Sequence, residues 1–344
     1  MGNSENIESL NKDLREMSFF LGSNLDWVQG AGGNTSFKAK GILWVKASGS
    51  WLSDAKKNIF VPLDRQMVLD KISSEQEDLS SSQLFKETYQ DLRPSIETTL
   101  HALMPHKFVA HIHSVNVISH AVLKNCKQIL NEKLDNFKWL WVPYVRPGLP
   151  LTKKLNSVNV SDFDVIILAN HGLVIGGDSK EAVLGLLQEV EKKLFRPVRE
   201  KFIKIDIKKI VELLDNSDYK LPKYDFCHSL AKDNLSMKIL GQNALYPDHV
   251  IFLGPGNIPV ISYEDFKNSI TTQSLDLSYK VLVIKGVGVI VNKNLSENGE
   301  EMLYCLTNVL LRLQPKDKLQ YLTQQDEAEL LGWDAEKYRK LIQR

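Results

Sequence analysis

The chain has 344 residues, 43% of them apolar and 25% charged, with a formal net charge of +1. That is the balance of a water-soluble globular protein long enough for about two domains, and it carries no basic field of the kind that draws nucleic acid. No apolar stretch approaches the ~18 residues of a membrane span, and the opening MGNSENIESLNKD lacks the apolar core of a secretory signal, so a cytoplasmic location is expected.

Apolar residues at Leu10, Leu14, Met17 and Leu21 predict an amphipathic helix over Ser4 to Leu21, stopped by Gly22. The first residues superficially fit a myristoylation consensus, but no second anchoring signal accompanies them. Next come a glycine-rich loop through Gly30-Ala31-Gly32-Gly33-Asn34-Thr35-Ser36, a short apolar strand Ile42 to Lys46, and a second turn at Ala47-Ser48-Gly49. Gln66 to Leu79 is polar and acidic and reads as an exposed connection extended by Ser80-Ser81-Ser82. Pro94-Ser95 then leads into a helix from Ile96 to about Met104, with Glu97 in its first turn, where the helix dipole favours negative charge.

The most informative segment follows. His111-Ile112-His113 ends a run from Val109 that predicts a strand, so both imidazoles project from one face. His171 follows the apolar run Val165 to Asn170, and Gly172 lets the backbone turn beneath a ligand. A lone histidine at a strand end is ordinary; three imidazoles with one coordination position open form a catalytic zinc arrangement. Cys126, Cys227 and Cys305 are odd in number and far apart, which favours neither disulfides nor thiolate ligands, and they read as buried thiols.

Val115 to Leu123 reads as a further helix, Trp139 to Val145 as an apolar segment, and Ser179 to Leu194 as a helix with an apolar stripe at Ala182, Leu186, Val190 and Leu194. The composition shifts near residue 200, so the chain divides into 1–205 and 206–344, with linker character over about 203 to 225. In the second part, Val281 to Ile290 and the helix after it echo Ile166 to Ile175 and its helix, with Lys285 in the place of His171. Gly254-Pro255-Gly256-Asn257 reads as a tight turn.

These residues resemble the class II aldolases of the fuculose-phosphate aldolase and adducin-head type over roughly 15 to 200. Gly33-Asn34-Thr35-Ser36 and Ser48-Gly49 resemble the family's two phosphate loops. Pro94-Ser95-Ile96-Glu97 is similar to its P-S-S-E catalytic segment, and His111-Ile112-His113 with Asn170-His171-Gly172 to its zinc-binding H-x-H and H-H-G. The run RPSIETTLHALMPHKFVAHIH is closer still to the aldolase half of rhamnulose-phosphate aldolase and dehydrogenase fusions. The resemblance implies a three-layer α/β/α domain around a mainly antiparallel sheet, followed by a smaller C-terminal α/β domain that reads as a degenerate half-repeat.

It further implies one zinc ion on His111, His113 and His171, and Glu97 as the acid–base group. Phosphate would be held by Gly33, Asn34, Ser48, Gly49 and Ser95, and Tyr144 is lent to a neighbouring site in a ring-shaped homotetramer. The expected activity is cleavage of a ketose 1-phosphate, a small-molecule partner, to dihydroxyacetone phosphate and an aldehyde. Ile96 removes one phosphate contact of the family pattern, whereas Asn170 replaces a histidine that ligates nothing. Epimerases of the family carry Asp in the place of Glu97, and adducin-like interaction proteins lose the histidines. A sugar-phosphate epimerase or lyase and a non-catalytic interaction protein are therefore the rival readings.

Overall fold

The computed structural model describes residues 6–199, 208–214, 217–272 and 279–332. Its contacts divide the chain into two compact units, Met1–Ala121 with Asn125–Phe195, and Val122–Lys124 with Arg196–Arg344.

The first unit is built on a seven-stranded sheet. Its strands are β1 Asn34–Ala39, β2 Ile42–Lys46, β3 Phe60–Asp64, β4 Phe108–Ile112, β5 Trp139–Val142, β6 Val165–Leu168 and β7 Gly172–Gly177. They lie in the order β3-β2-β1-β4-β7-β6-β5, and all neighbours are antiparallel except β5 and β6. Lys40 and Gly41, at φ 51° and 79°, close the β1–β2 hairpin, since a two-residue turn that follows the strand twist needs positive φ at both positions.

Helices cover both faces, which is why β4, β6 and β7 are buried along their whole length and read as apolar runs rather than alternating ones. Arg65–Ser73, Thr98–Leu103 and Leu149–Asn156 pack together on one face; Ile7–Gly22, Val115–Ala121 and Lys180–Leu194 cover the other. The first layer closes over Leu100, Val109, Leu155, Ile166 and Val174, each worth about 1.5–3 kcal/mol when removed from water. The expected three-layer α/β/α arrangement is the one observed.

Several local expectations shift. The stretch read as an exposed connection from Gln66 opens with the helix Arg65–Ser73. Asp64 caps it by accepting from the Met67 N–H at 3.0 Å, and Val68 and Ile72, one turn apart, are buried under it. The helix after Pro94 begins at Thr98, so Glu97 is its N-cap residue rather than part of its first turn. The N-terminal helix runs Ile7–Gly22, capped by Asn6, and residues 1–5 lie outside the described residues. Of the stretch read as linker, Lys208–Leu214 is helical and Tyr219–Lys220 forms a strand, with Tyr219 fully buried.

The second unit holds a four-stranded sheet of β8 Tyr219–Lys220, β9 Val260–Ile261, β10 Val281–Ile284 and β11 Gly288–Asn292, ordered β8-β11-β10-β9. β11 is antiparallel to β8 and β10, and β9 is parallel to β10. Order and directions reproduce β4-β7-β6-β5 of the first unit, the topology of a half-repeat. The register corrects one detail. Leu168 pairs with Gly172, and Ile284 with Gly288, so Val287 and not Lys285 occupies the place of His171. Asn170 and Gly286, at φ 53° and 75°, make the equivalent bends. Among the described residues the three cysteines are buried thiols outside any disulfide, and no helix is long and apolar enough to cross a membrane.

Candidate metal and acid–base site

Strand β4 lies between β1 and β7 and places His111 opposite Asn34 on one side and Val174 on the other. His111 shares the face of Val109, because side chains alternate along a strand, and that face is the one covered by the helix Thr98–Leu103. His113 lies just past the end of β4, where its N–H donates to Trp27 O at 2.9 Å. His171 sits in the tight β6–β7 turn, with its N–H on Leu168 O at 3.2 Å. Gly172 permits the approach of the two elements: a Cβ there would stand 2.5 Å from Ile112 O and 3.3–3.4 Å from the rings of His113 and His111.

The three imidazoles converge. Their centroids are 4.8–5.1 Å apart, and one nitrogen from each lies within 4.8 Å of the others. The His111 Nδ1–H donates to Leu173 O at 3.1 Å, which leaves its Nε2 lone pair facing the cluster, 3.1 Å from His113 Nε2. All three rings are buried.

The Glu97 carboxylate closes the group. Its Oε2 is 3.4 Å from His111 Nε2, and its Oε1 is 3.7 Å from His171 Nε2. Oε2 accepts from Asn34 Nδ2 at 2.9 Å, while Oε1 is buried and accepts no hydrogen bond among the described residues. Burial raises the pKa of this carboxyl, but the imidazoles of His111 and His171, the Asn34 amide and His113 outweigh it and hold the value down to about 2. Three buried nitrogens and a buried carboxylate oxygen, with no thiolate among them, are a donor set that suits a divalent cation of the zinc type.

Behind Glu97 runs a chain of hydrogen bonds absent from the sequence reading. Ser36 Oγ donates to His101 Nδ1 at 2.7 Å, and the His101 Nε2–H donates to Asn34 Oδ1. That bond turns the Asn34 amide so that its NH2 faces Glu97. Burial, with Lys38 and His111 nearby, holds the His101 pKa well below the ordinary range, so the ring is neutral and one tautomer serves both bonds. A signal was present: His101 follows Glu97 by four residues, one helical turn. Glu191, also unremarked, accepts from Ser114 Oγ and from Asn116 Nδ2 at 2.9 Å, and so anchors the chain just beyond His113.

The expected phosphate residues lie on segments joined through backbone bonds. Ala47 bridges Pro94, the Ser48 N–H donates to Arg93 O at 2.8 Å, and the Ser95 N–H donates to Lys46 O at 3.1 Å. Ser95 Oγ accepts from the Glu97 N–H at 3.3 Å, which ties this segment to the residue that carries the buried carboxylate. Gly33 and Gly49, at φ 60° and 76°, make bends that a side chain would resist. Ser48 and Gly49 are half-buried, whereas Asn34 and Ser95 are buried, and the Asn34 side chain is engaged with Glu97 and His101. Tyr144 is half-buried on the loop after β5. Val142 pairs with Leu168 in parallel, so Tyr144 leaves the sheet at the end where His171 turns.

Comparison with known proteins adds the family. The model described as "Class II Aldolase and Adducin N-terminal domain" matches residues 15–194, just over half of the chain. A curated relative, the uncharacterized oxidoreductase YuxG of Bacillus subtilis (strain 168), is 32% identical over 213 residues, which are 55% of this chain and 30% of that protein. This chain therefore spans about a third of the length of the curated relative it matches. Among solved structures, the N-terminal class II aldolase domain of a conserved Thermoplasma acidophilum protein is 25% identical at a TM-score of 0.47, covering 56% of this chain and 93% of that one. An L-fuculose 1-phosphate aldolase is 17% identical at a TM-score of 0.40, covering 56% and 86%. A Thermotoga maritima sugar-phosphate aldolase is 15% identical at 0.37, covering 55% and 94%. The chain belongs to the class II aldolase and adducin family.

Proposed function

We propose that this protein is a zinc-dependent aldolase that cleaves a ketose 1-phosphate of the rhamnulose- or fuculose-phosphate type to dihydroxyacetone phosphate and an aldehyde. The observation that carries the reading is the buried Glu97 carboxylate, held 3.4 and 3.7 Å from the imidazoles of His111 and His171. An interaction protein has no use for an ionised carboxylate buried against three histidines.

His111, His113 and His171 would hold the ion, which when bound supplies a Lewis acid at the ketose carbonyl and hydroxyl oxygens. Glu97 moves the proton to and from the carbon that gains a C–H bond when the carbon–carbon bond breaks. Asn34 fixes that carboxylate by its 2.9 Å bond to Oε2, which leaves Oε1 as the oxygen for the proton transfer. Gly33, Ser48, Gly49 and Ser95 bind the phosphate through backbone N–H groups and hydroxyls, with Asn34 at the cradle's edge. In cleavage, Tyr144 of a neighbouring copy in a homotetramer takes up the proton of the hydroxyl that becomes the aldehyde oxygen, and it returns that proton in the reverse, carbon–carbon-forming direction. The second unit, a half-repeat with Val287 in place of a histidine ligand, has no catalytic part in this scheme.

The test is elemental analysis of the wild type and His113→Ala, followed by an assay of ketose 1-phosphates for release of dihydroxyacetone phosphate. About one zinc per chain, lost in the variant, with turnover of at least one such substrate, is the expected result. A wild-type protein that takes up no divalent metal when supplied with zinc refutes the mechanism and favours the interaction-protein reading. Metal uptake with epimerisation instead of cleavage moves the reaction class but keeps the site.

A further inference from the structure

Away from the histidine cluster, a groove of about 750 Å³ lies between the helix Ile7–Gly22 and strand β2, the size of a small-molecule site. The strand register sets it apart from the metal centre. Val109 pairs with Ser36 and Ser36 with Val45, so Val45 projects on the face that carries His111. Trp44 therefore projects on the opposite face, where it lines the groove. Its ring is fixed from the sheet side by Phe37, with centroids 6.1 Å apart and planes 8° from parallel, and Tyr89 meets it at 6.0 Å and 78°. The helix gives the other wall as a ridge of four-residue steps, Ile7, Asn11, Arg15 and Phe19. Phe19 is 39% exposed there. The aromatic surface is thus already in place and in part faces water.

The charges are gathered at one end. Arg15 Nη1 donates to the carbonyls of Ala55, Lys56 and Lys57 at 3.3, 3.3 and 2.8 Å, and Lys56 Nζ lies 4.6 Å over the Phe19 ring. Arg15 Nη2 donates to nothing among the described residues, and neither cation has an acidic partner among them. Of the two carboxylates along the helix wall, Glu16 is taken by Lys180 and Lys12. Glu8 stands seven residues before Arg15, about 10 Å along the helix toward the other end. A ligand that matches this arrangement has a flat apolar body and one anionic end: aromatic rings pack against Trp44, Tyr89 and Phe19, and a carboxylate suits the planar fork of a guanidinium.

We propose that this groove is a second ligand site, separate from the metal centre, that takes a small aromatic carboxylate with its ring against Trp44 and Tyr89 and its carboxylate at Arg15 and Lys56. The inference is independent of the sugar-phosphate reading.

The experiment titrates the full-length protein calorimetrically with 2-naphthoate and with its neutral counterpart 2-naphthamide. The zinc-loaded wild type is expected to bind one naphthoate per chain, about 3- to 10-fold tighter than naphthamide, and metal-free His113→Ala to bind it within about twofold of the wild type. Lys56→Glu should weaken naphthoate about 3- to 10-fold and leave naphthamide within about twofold, the range for a charge near the surface. Tyr89→Ala should weaken both probes about 3- to 10-fold, the worth of one aromatic contact. If Tyr89→Ala fails to fold, Tyr89→Leu, which keeps apolar bulk without the ring, takes its place with the same expectation. A wild type that binds no naphthoate saturably overturns the proposal. Binding that vanishes with the zinc also overturns it, because the carboxylate is then a metal ligand. Equal affinity for the two probes, unmoved by Lys56→Glu, overturns the anion selectivity on which the site is assigned. Sedimentation of the variants is the last arm: loss of assembly in Lys56→Glu or Tyr89→Ala makes the groove an interface between copies and overturns the ligand site.

Discussion

Gly172→Ala offers a direct test of how tightly the histidine cluster is framed. The new Cβ would lie 2.5 Å from Ile112 O, where real Cβ atoms keep beyond 3.0 Å, so the first residue of β7 or the end of β4 must give way by about 0.5 Å. Ile112 stands between His111 and His113, and the same Cβ is already within 3.4 Å of both rings, so the displacement is passed to the proposed ligands. Backbone contact of this kind costs about 1–3 kcal/mol. Ligand distances in a zinc site are held to about 0.2 Å, and disturbing their support weakens metal binding about 10- to 100-fold. The assay is thermal unfolding with and without zinc. Metal-induced stabilisation follows RT ln(1 + [Zn]/Kd), so the variant should lose about 1.4–2.7 kcal/mol of it on top of the lower stability of the metal-free protein. Gly185→Ala is the control. That glycine lies inside the helix Lys180–Leu194 with nothing within 4 Å of its added Cβ, and the change should stabilise by about 0.5–1 kcal/mol. A Gly172→Ala protein that melts with the wild type and binds zinc within threefold would refute the reasoning.

Glu97→Gln removes the proposed proton-transfer group but keeps its shape, so turnover should fall by about 10²–10⁴ with zinc retained; retention of more than a tenth of the activity would exclude Glu97 from acid–base work. His101→Leu frees the Asn34 amide to turn away from Glu97, and kcat should drop about tenfold with KM and zinc content little changed, whereas an unaltered kcat would show that the Ser36–His101–Asn34 chain does not position the carboxylate. His249, fully buried in the second unit, has its pKa lowered by burial from 6.5 to about 4. Between those values the unfolded chain binds the extra proton, so stability from this group is complete above pH 6.5 and is lost as pH falls toward 4, to an extent of about 3 kcal/mol. Denaturant unfolding of His249→Leu should lack that slope, and equal slopes in the two proteins would contradict it.

What could be read along the chain was whatever depends on near neighbours. The H-x-H spacing put two imidazoles at one strand end, and the apolar run before Asn170 put a third at a turn. The stripe from Leu10 to Leu21 announced the first helix, although Ser74, Gln76 and the acidic residues around them hid the helix Arg65–Ser73, whose only local marks are the Asp64 cap and the pair Val68 and Ile72. What stayed hidden depends on pairs far apart in sequence: Asn34 with Glu97, 63 residues on, and with His101, 67 on. Likewise the burial of Lys46 between Ala31 and Ser50 requires two loops to close over it, and no strand pattern announces that.

The position of Val287 shows the same division in the second unit, since side-by-side comparison of the two segments misplaces the residue opposite His171 and only the paired register corrects it. Residue type, spacing and helix or strand period are local, and they determined by themselves which groups could do chemistry and what elements carry them. Which of those groups meet, which proton faces which oxygen, and where a charge is buried were decided by the seven-stranded sheet, because bringing β1, β4 and β7 side by side is a long-range event that no short window of sequence encodes.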